Sequence, residues 1–104
     1  MLKIKLFCSA GMSTSMLVTK MQAAAKERGL EAEIAAYPES TLANHVDDCD
    51  VALLGPQVRF LLDQSKAVCD PKGVPIAVIP MQDYGMMNGK KVLEDALALI
   101  ENKA

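Results

Sequence analysis

A chain of 104 residues supports one hydrophobic core and is too short for two, so any activity sits in a single module. Hydrophobic residues make up 51% and charged residues 23%, and a net charge of −2 leaves no electrostatic footprint for nucleic acid. Two Tyr, two Phe and no Trp are too few for a base-stacking platform.

Periodicity predicts strands alternating with helices. Residues 2–7 read as the first strand, and residues 15–28 as a helix with Leu17, Met21, Ala24 and Ala25 on one face and Gly29 as its stop. Residues 31–37 form a second strand, broken by Pro38, and residues 39–46 a short helix or irregular turn. The continuous apolar run Val51-Ala52-Leu53-Leu54 fits a strand buried on both sheet faces. Pro56 suits the first turn of a helix, which Val58, Leu61, Leu62, Ser65 and Val68 continue at helical spacing until residues 70–73 stop it. Residues 75–79 are the fourth strand, residues 80–89 a long connection, and residues 89–102 an amphipathic helix burying Val92, Leu93, Ala96, Leu97 and Ile100. The expected fold is α/β: a single-domain, four-stranded parallel sheet flanked by helices on both faces, with ligand-binding loops at the carboxyl ends of the strands.

Lys3 and Lys5 interrupt the apolar start, so it lacks the core of a secretion signal, and no later run reaches membrane-spanning length. A cytoplasmic domain without membrane insertion is expected. Cys8, Cys49 and Cys69 are widely spaced, with no CxxC and only His45 as an imidazole, which argues against a disulfide framework and against a metal site. Cys49 and Cys69 read as small structural residues. No cofactor motif is present.

Cys8 is set apart by its neighbours in the chain. Six of the next seven residues, Ser9, Ala10, Gly11, Ser13, Thr14 and Ser15, are small, and Met12 is the exception. Between a strand and a helix, small residues let backbone N–H groups turn inward, and the helix start adds partial positive charge. Both favour a thiolate and then a phosphoryl group upon it, so residues 9–15 are the candidate phosphate-binding loop and Cys8 the nucleophile. Ser13, Thr14 and Ser15 supply hydroxyls that either hold phosphate oxygens or cap the helix. Met12 is either part of a docking surface or a gap filler. Two further strand-end segments open on the same edge: Gly55-Pro56-Gln57, and the 80–89 connection, where Tyr84 is a candidate partner contact, set against a plainer reading in which the two glycines set turns and Met86 and Met87 cover the core. His45 reads as an exposed or capping residue, not a catalytic base.

The stretch Leu6-Phe7-Cys8-Ser9-Ala10-Gly11-Met12-Ser13-Thr14-Ser15, the segment Leu53-Leu54-Gly55-Pro56-Gln57 and the pair Tyr84-Gly85 resemble the Enzyme IIB component of the bacterial sugar phosphotransferase system, lactose and cellobiose family. The resemblance covers essentially the whole chain, residues 1–104, and the form of the cysteine loop is more similar to the cellobiose and chitobiose branch. It implies that Cys8 takes a phosphoryl group from a phosphohistidine on a IIA protein and passes it to a sugar held by a membrane IIC permease at the inner face of the membrane. A part that meets two partners in turn is expected to be a monomer. Two other classes compete. A low-molecular-weight tyrosine phosphatase has a similar sheet and cysteine, but its Cys-x5-Arg motif is not met, because Thr14 stands where the clamping guanidinium belongs. Thiol-based arsenate reduction meets the same objection. A non-catalytic regulatory domain of IIB type would keep the architecture without the permease.

Overall fold

The computed structural model describes residues 1–9 and 11–102, and only the backbone of residues 11–13. Four strands, β1 (Leu2–Cys8), β2 (Ala32–Pro38), β3 (Val51–Leu54) and β4 (Ile76–Val78), form one sheet in the order β2-β1-β3-β4. All pairings are parallel, with Cys8 opposite Pro38 on one side and Phe7 opposite Leu54 on the other. Among the described residues five α-helices connect or follow them: α1 (Gly11–Glu27), α2 (Leu42–His45), α3 (Leu62–Cys69), α4 (Met81–Gly85) and α5 (Gly89–Glu101).

Successive strand residues point to opposite faces, and here both faces are apolar. Ile4, Leu6, Val51 and Leu53 pack with Leu17 and Met21 of α1 and Val92, Leu93 and Ala96 of α5. Phe7, Ala52 and Leu54 pack on the other side with Leu42, Val58, Cys69 and Val74. This is why residues 51–54 read as an uninterrupted apolar run. Each fully buried Leu, Ile or Phe contributes about 1.5–3 kcal/mol of transfer free energy. The start of α5 meets α1 backbone to backbone, for a Cβ at the buried Gly89 would stand 2.5 Å from the carbonyl carbon of Lys20. Gly29, at φ 69°, takes the left-handed conformation that ends α1.

The expected α/β architecture is the observed one, with differences at its edges. α1 begins at Gly11, not at residue 15, so most of the expected loop is the first turn of the helix. Bonds from Ala52 N–H to the Pro75 carbonyl and from Ile79 N–H to the Leu54 carbonyl extend the β4 pairing over the full 75–79 segment. After Pro56 the chain makes a 3₁₀ turn through Leu61 before α3, because Val58 leaves helical geometry at φ −117°, ψ 25°. The 80–89 connection contains α4, which closes with the Tyr84 N–H bonded to the Pro80 carbonyl. The 39–46 segment is a 3₁₀ turn followed by α2, and a second 3₁₀ turn runs from Val46 to Asp48.

Candidate functional site

Cys8 is the last residue of β1, a strand held by neighbours on both sides, and its side chain is buried. Even-numbered β1 residues face α1, which puts Cys8 on the side where that helix starts three positions later. Cys8, Ser9 and Ser15 line a cleft of about 110 Å³ together with Ala36, Tyr37 and Pro38 at the end of β2. None of these lining residues is Asp, Glu, Lys or Arg, and the first turn of α1 has no acidic residue. The cleft therefore offers an anion the partial positive charge of a helix start without a competing carboxylate from that turn.

The expected loop residues divide three ways. Ser9 and Ser15 are exposed beside the cleft, as a phosphate-contacting role requires. Ala10 lies outside the described residues, as do the side chains of Gly11, Met12 and Ser13. Thr14 departs from expectation. It is fully buried, and its hydroxyl lies 3.0 Å from the Tyr84 hydroxyl, one donating and the other accepting. The same contact corrects the reading of Tyr84 as a partner contact: its ring is in the core beneath α4, only 7% exposed, because a phenol buries well when its hydroxyl finds a partner. Together the two residues pin the first turn of α1 to α4.

His45 is half-buried and stacked on Tyr37, ring centroids 3.9 Å apart, instead of standing in solvent. It is held there by Lys5, a lysine buried in mid-strand, whose Nζ donates to the His45 carbonyl at 3.3 Å and lies 3.5 Å from Nδ1. Asp48 balances that charge at 3.9 Å and bonds Lys3 at 2.7 Å. Tyr37 thus joins the Cys8 cleft to a polar cluster on the opposite face. Burial pushes the Cys49 thiol up to about 11, and its Sγ donates to the Val51 carbonyl at 3.1 Å. Burial, then Asp70, raise Cys69 as well. Both stay protonated near neutral pH, consistent with structural thiols.

The sequence reading missed Lys5, and it missed Phe60, whose ring is 76% exposed in the turn leaving β3. Met16, on the segment leaving β1, and Met81 and Met86, on the one leaving β4, are also exposed, so among the described residues four large apolar side chains stand on connections that leave the carboxyl edge of the sheet. Among the described residues no three His, Cys, Asp or Glu side chains gather as a metal site, and no helix is long and apolar enough to cross a membrane.

A cysteine closing the first strand of a parallel sheet, set across a small cleft from a helix start, is an arrangement able to hold an anion beside a thiol. The family described as PTS system, Lactose/Cellobiose specific IIB subunit matches residues 3–95. The oligo-beta-mannoside-specific EIIB component of Bacillus subtilis is 44% identical over 99% of this chain and 100% of its own length. The cellobiose-specific EIIB component of Lactococcus lactis subsp. lactis is 48% identical, covering 89% of this chain and 91% of its own. The galactose-specific component of L. lactis subsp. cremoris is 49% identical over the same shares. Among solved structures, the cellobiose-specific phosphotransferase IIB component of Borrelia burgdorferi superposes with a TM-score of 0.83 at 46% identity, covering 99% of this chain and 94% of that one. The lactose-specific IIB domain of Streptococcus pneumoniae shares the fold, with a TM-score of 0.85 at 18% identity over 94% and 96% of the two chains. The chain belongs to the lactose/cellobiose-specific IIB family of the sugar phosphotransferase system. It is a phosphotransferase component of sugar uptake, and membership implies IIA and IIC components as its partners.

Proposed function

We propose that residues 1–104 act as one phosphocarrier domain in which Cys8 is the residue phosphorylated. The Cys8 thiolate attacks the phosphorus of a IIA phosphohistidine in line; the S–P bond forms as the N–P bond breaks, and the electron pair leaves with the imidazole. Backbone N–H groups at the start of α1, with Ser9 and Ser15 beside them, take up charge on the equatorial oxygens. A hydroxyl of a sugar bound by IIC then attacks the phosphorus, its proton going to a base on the permease, and the thiolate is released. The acceptor is a β-linked disaccharide of the cellobiose or chitobiose type, a reading supported by the cellobiose and oligo-beta-mannoside specificities named for three relatives, beside galactose for a fourth. The domain works as a monomer in the cytoplasm, and exposed Met16, Phe60 and Met81 support docking of partners at the edge where Cys8 sits.

The observation that carries this reading is the position of Cys8 at the mouth of α1, while burial holds Cys49 and Cys69 protonated. Cys8→Ser should abolish the phosphoryl adduct seen by intact mass after incubation with phosphorylated IIA, and leave the thermal melt unchanged, since an alkoxide is far harder to form than a thiolate. Acceptance by Cys8→Ser at the wild-type rate would overturn the assignment, as would its loss in a folded Cys49→Ala protein. The phosphatase alternative is disfavoured because Thr14 is buried against Tyr84 and brings no charge to the cleft. Phosphorylated protein should accordingly persist at neutral pH without permease.

A further inference from the structure

Gly55 and Gln57 reach Cys8 from the neighbouring strand. The Gly55 N–H donates to the Phe7 carbonyl at 2.9 Å, carrying the β1–β3 ladder one residue past Leu54 and bringing this buried glycine beside the strand end that bears the nucleophile. The point where a Gly55 Cβ would stand is 3.3 Å from the Cys8 Cβ and 3.2 Å from the Gln57 Oε1. Pro56 opens the 3₁₀ turn, and the Val58 N–H closes it on the Gly55 carbonyl at 3.0 Å. That tight turn sends the Gln57 side chain back over Gly55. An otherwise exposed amide and the Cys8 Cβ therefore flank one small space, which is open because residue 55 has no side chain.

We propose that Gln57 is a further catalytic residue, whose side-chain N–H donates to an oxygen of the phosphoryl group on Cys8 as the group arrives and as it leaves. This rests on Cys8 being the acceptor. In this proposal one phosphoryl oxygen lies on the Gly55 side of Cys8, the others facing the cleft beside β2, and a half-turn of the terminal amide presents NH₂ in place of the oxygen without moving the backbone. Gln57 makes and breaks no covalent bond; it stabilises charge on the transferring oxygens. A neutral amide suits a carrier, for it lowers the barrier in both directions without the permanent charge that would hold the phosphoryl group in place.

Transfer from phosphorylated IIA, followed by rapid quench and intact mass, tests this with Gln57→Ala, Gln57→Glu and the Cys8→Ser control. Thermal melts and alkylation of Cys8 by iodoacetamide at neutral pH accompany it. Both Gln57 variants should melt as wild type, because the side chain is exposed. Gln57→Ala should transfer about tenfold more slowly, the loss of one hydrogen bond to a charged group. Gln57→Glu, nearly isosteric but anionic and without a donor, should be slower still and should also slow alkylation, since a carboxylate beside the thiol disfavours the thiolate. Wild-type transfer by Gln57→Ala, equal rates for Ala and Glu, or losses that merely track a lowered melting temperature would overturn the role of Gln57. Acceptance by Cys8→Ser would instead overturn the acceptor on which it rests.

Discussion

Replacing Tyr84 by Phe removes one atom from the centre of the molecule and leaves its partner stranded. The Thr14 hydroxyl is fully buried and 3.0 Å from the Tyr84 hydroxyl. Loss of a neutral hydrogen bond costs about 1 kcal/mol, and a buried hydroxyl left unpaired raises the cost to about 1–3 kcal/mol. Thr14→Val makes the reciprocal loss. The double variant restores balance by removing both polar groups within nearly unchanged shapes, so its cost should fall below the sum of the singles by about 1–2 kcal/mol. Urea unfolding of the four proteins measures this as a double-mutant cycle, read from midpoints at a constant slope. In thermal melts each kcal/mol should appear as a shift of about 4–8 °C for a domain near this size. Single-variant costs that add to within about 0.5 kcal/mol would refute the coupling, and with it the view that α4 holds the first turn of α1 in place.

Gly89→Ala should destabilise the fold by about 1–3 kcal/mol, because the new methyl meets Lys20 and Met21 backbone and forces α5 off α1; a melt within about 1 °C of wild type would contradict that close approach. The pH dependence of stability should carry the signature of Cys49. Its folded value, about 11, lies above its ordinary value of 9.0, so the protonated thiol favours the folded state, a contribution fully present below pH 9 and lost as pH rises through about 11. Unfolding midpoints should therefore fall across that window, and the fall should be shallower in Cys49→Ala; identical profiles for the two proteins would remove Cys49 as its source.

Strands were legible because a sheet covered on both faces needs apolar residues at every position, and residues 51–54 supply them without interruption. The position of Cys8 followed from the same logic. The start of α1 was not legible, since Gly, Ser and Thr are weak helix formers and the turn they make is held by tertiary contact with Tyr84, invisible to local propensity. Helix α4 hid for a related reason: five residues between a proline and a glycine-bearing connection read as loop until the buried ring of Tyr84 is seen to organise them. Lys5 breaks the apolar pattern of β1 and would ordinarily mark a solvent-facing position. It is buried because α2 and the turn after it supply a carbonyl and a carboxylate to receive it. Phe60 is the converse, an aromatic side chain whose exposure has no local sequence signal.

The cleft beside Cys8 encloses about 110 Å³, whereas pockets that hold drug-sized molecules run from about 300 to 1,000 Å³. Under the function proposed above, it is scaled to the group that travels and not to the molecule that receives it. In that proposal a disaccharide has no room inside it and presents a hydroxyl at the rim while its rings stay elsewhere. Discrimination among sugars then demands nothing of this domain's own architecture, and a lineage of such domains is at liberty to serve mannosides, galactosides or glucosides by changing companions while its own chemistry stays constant.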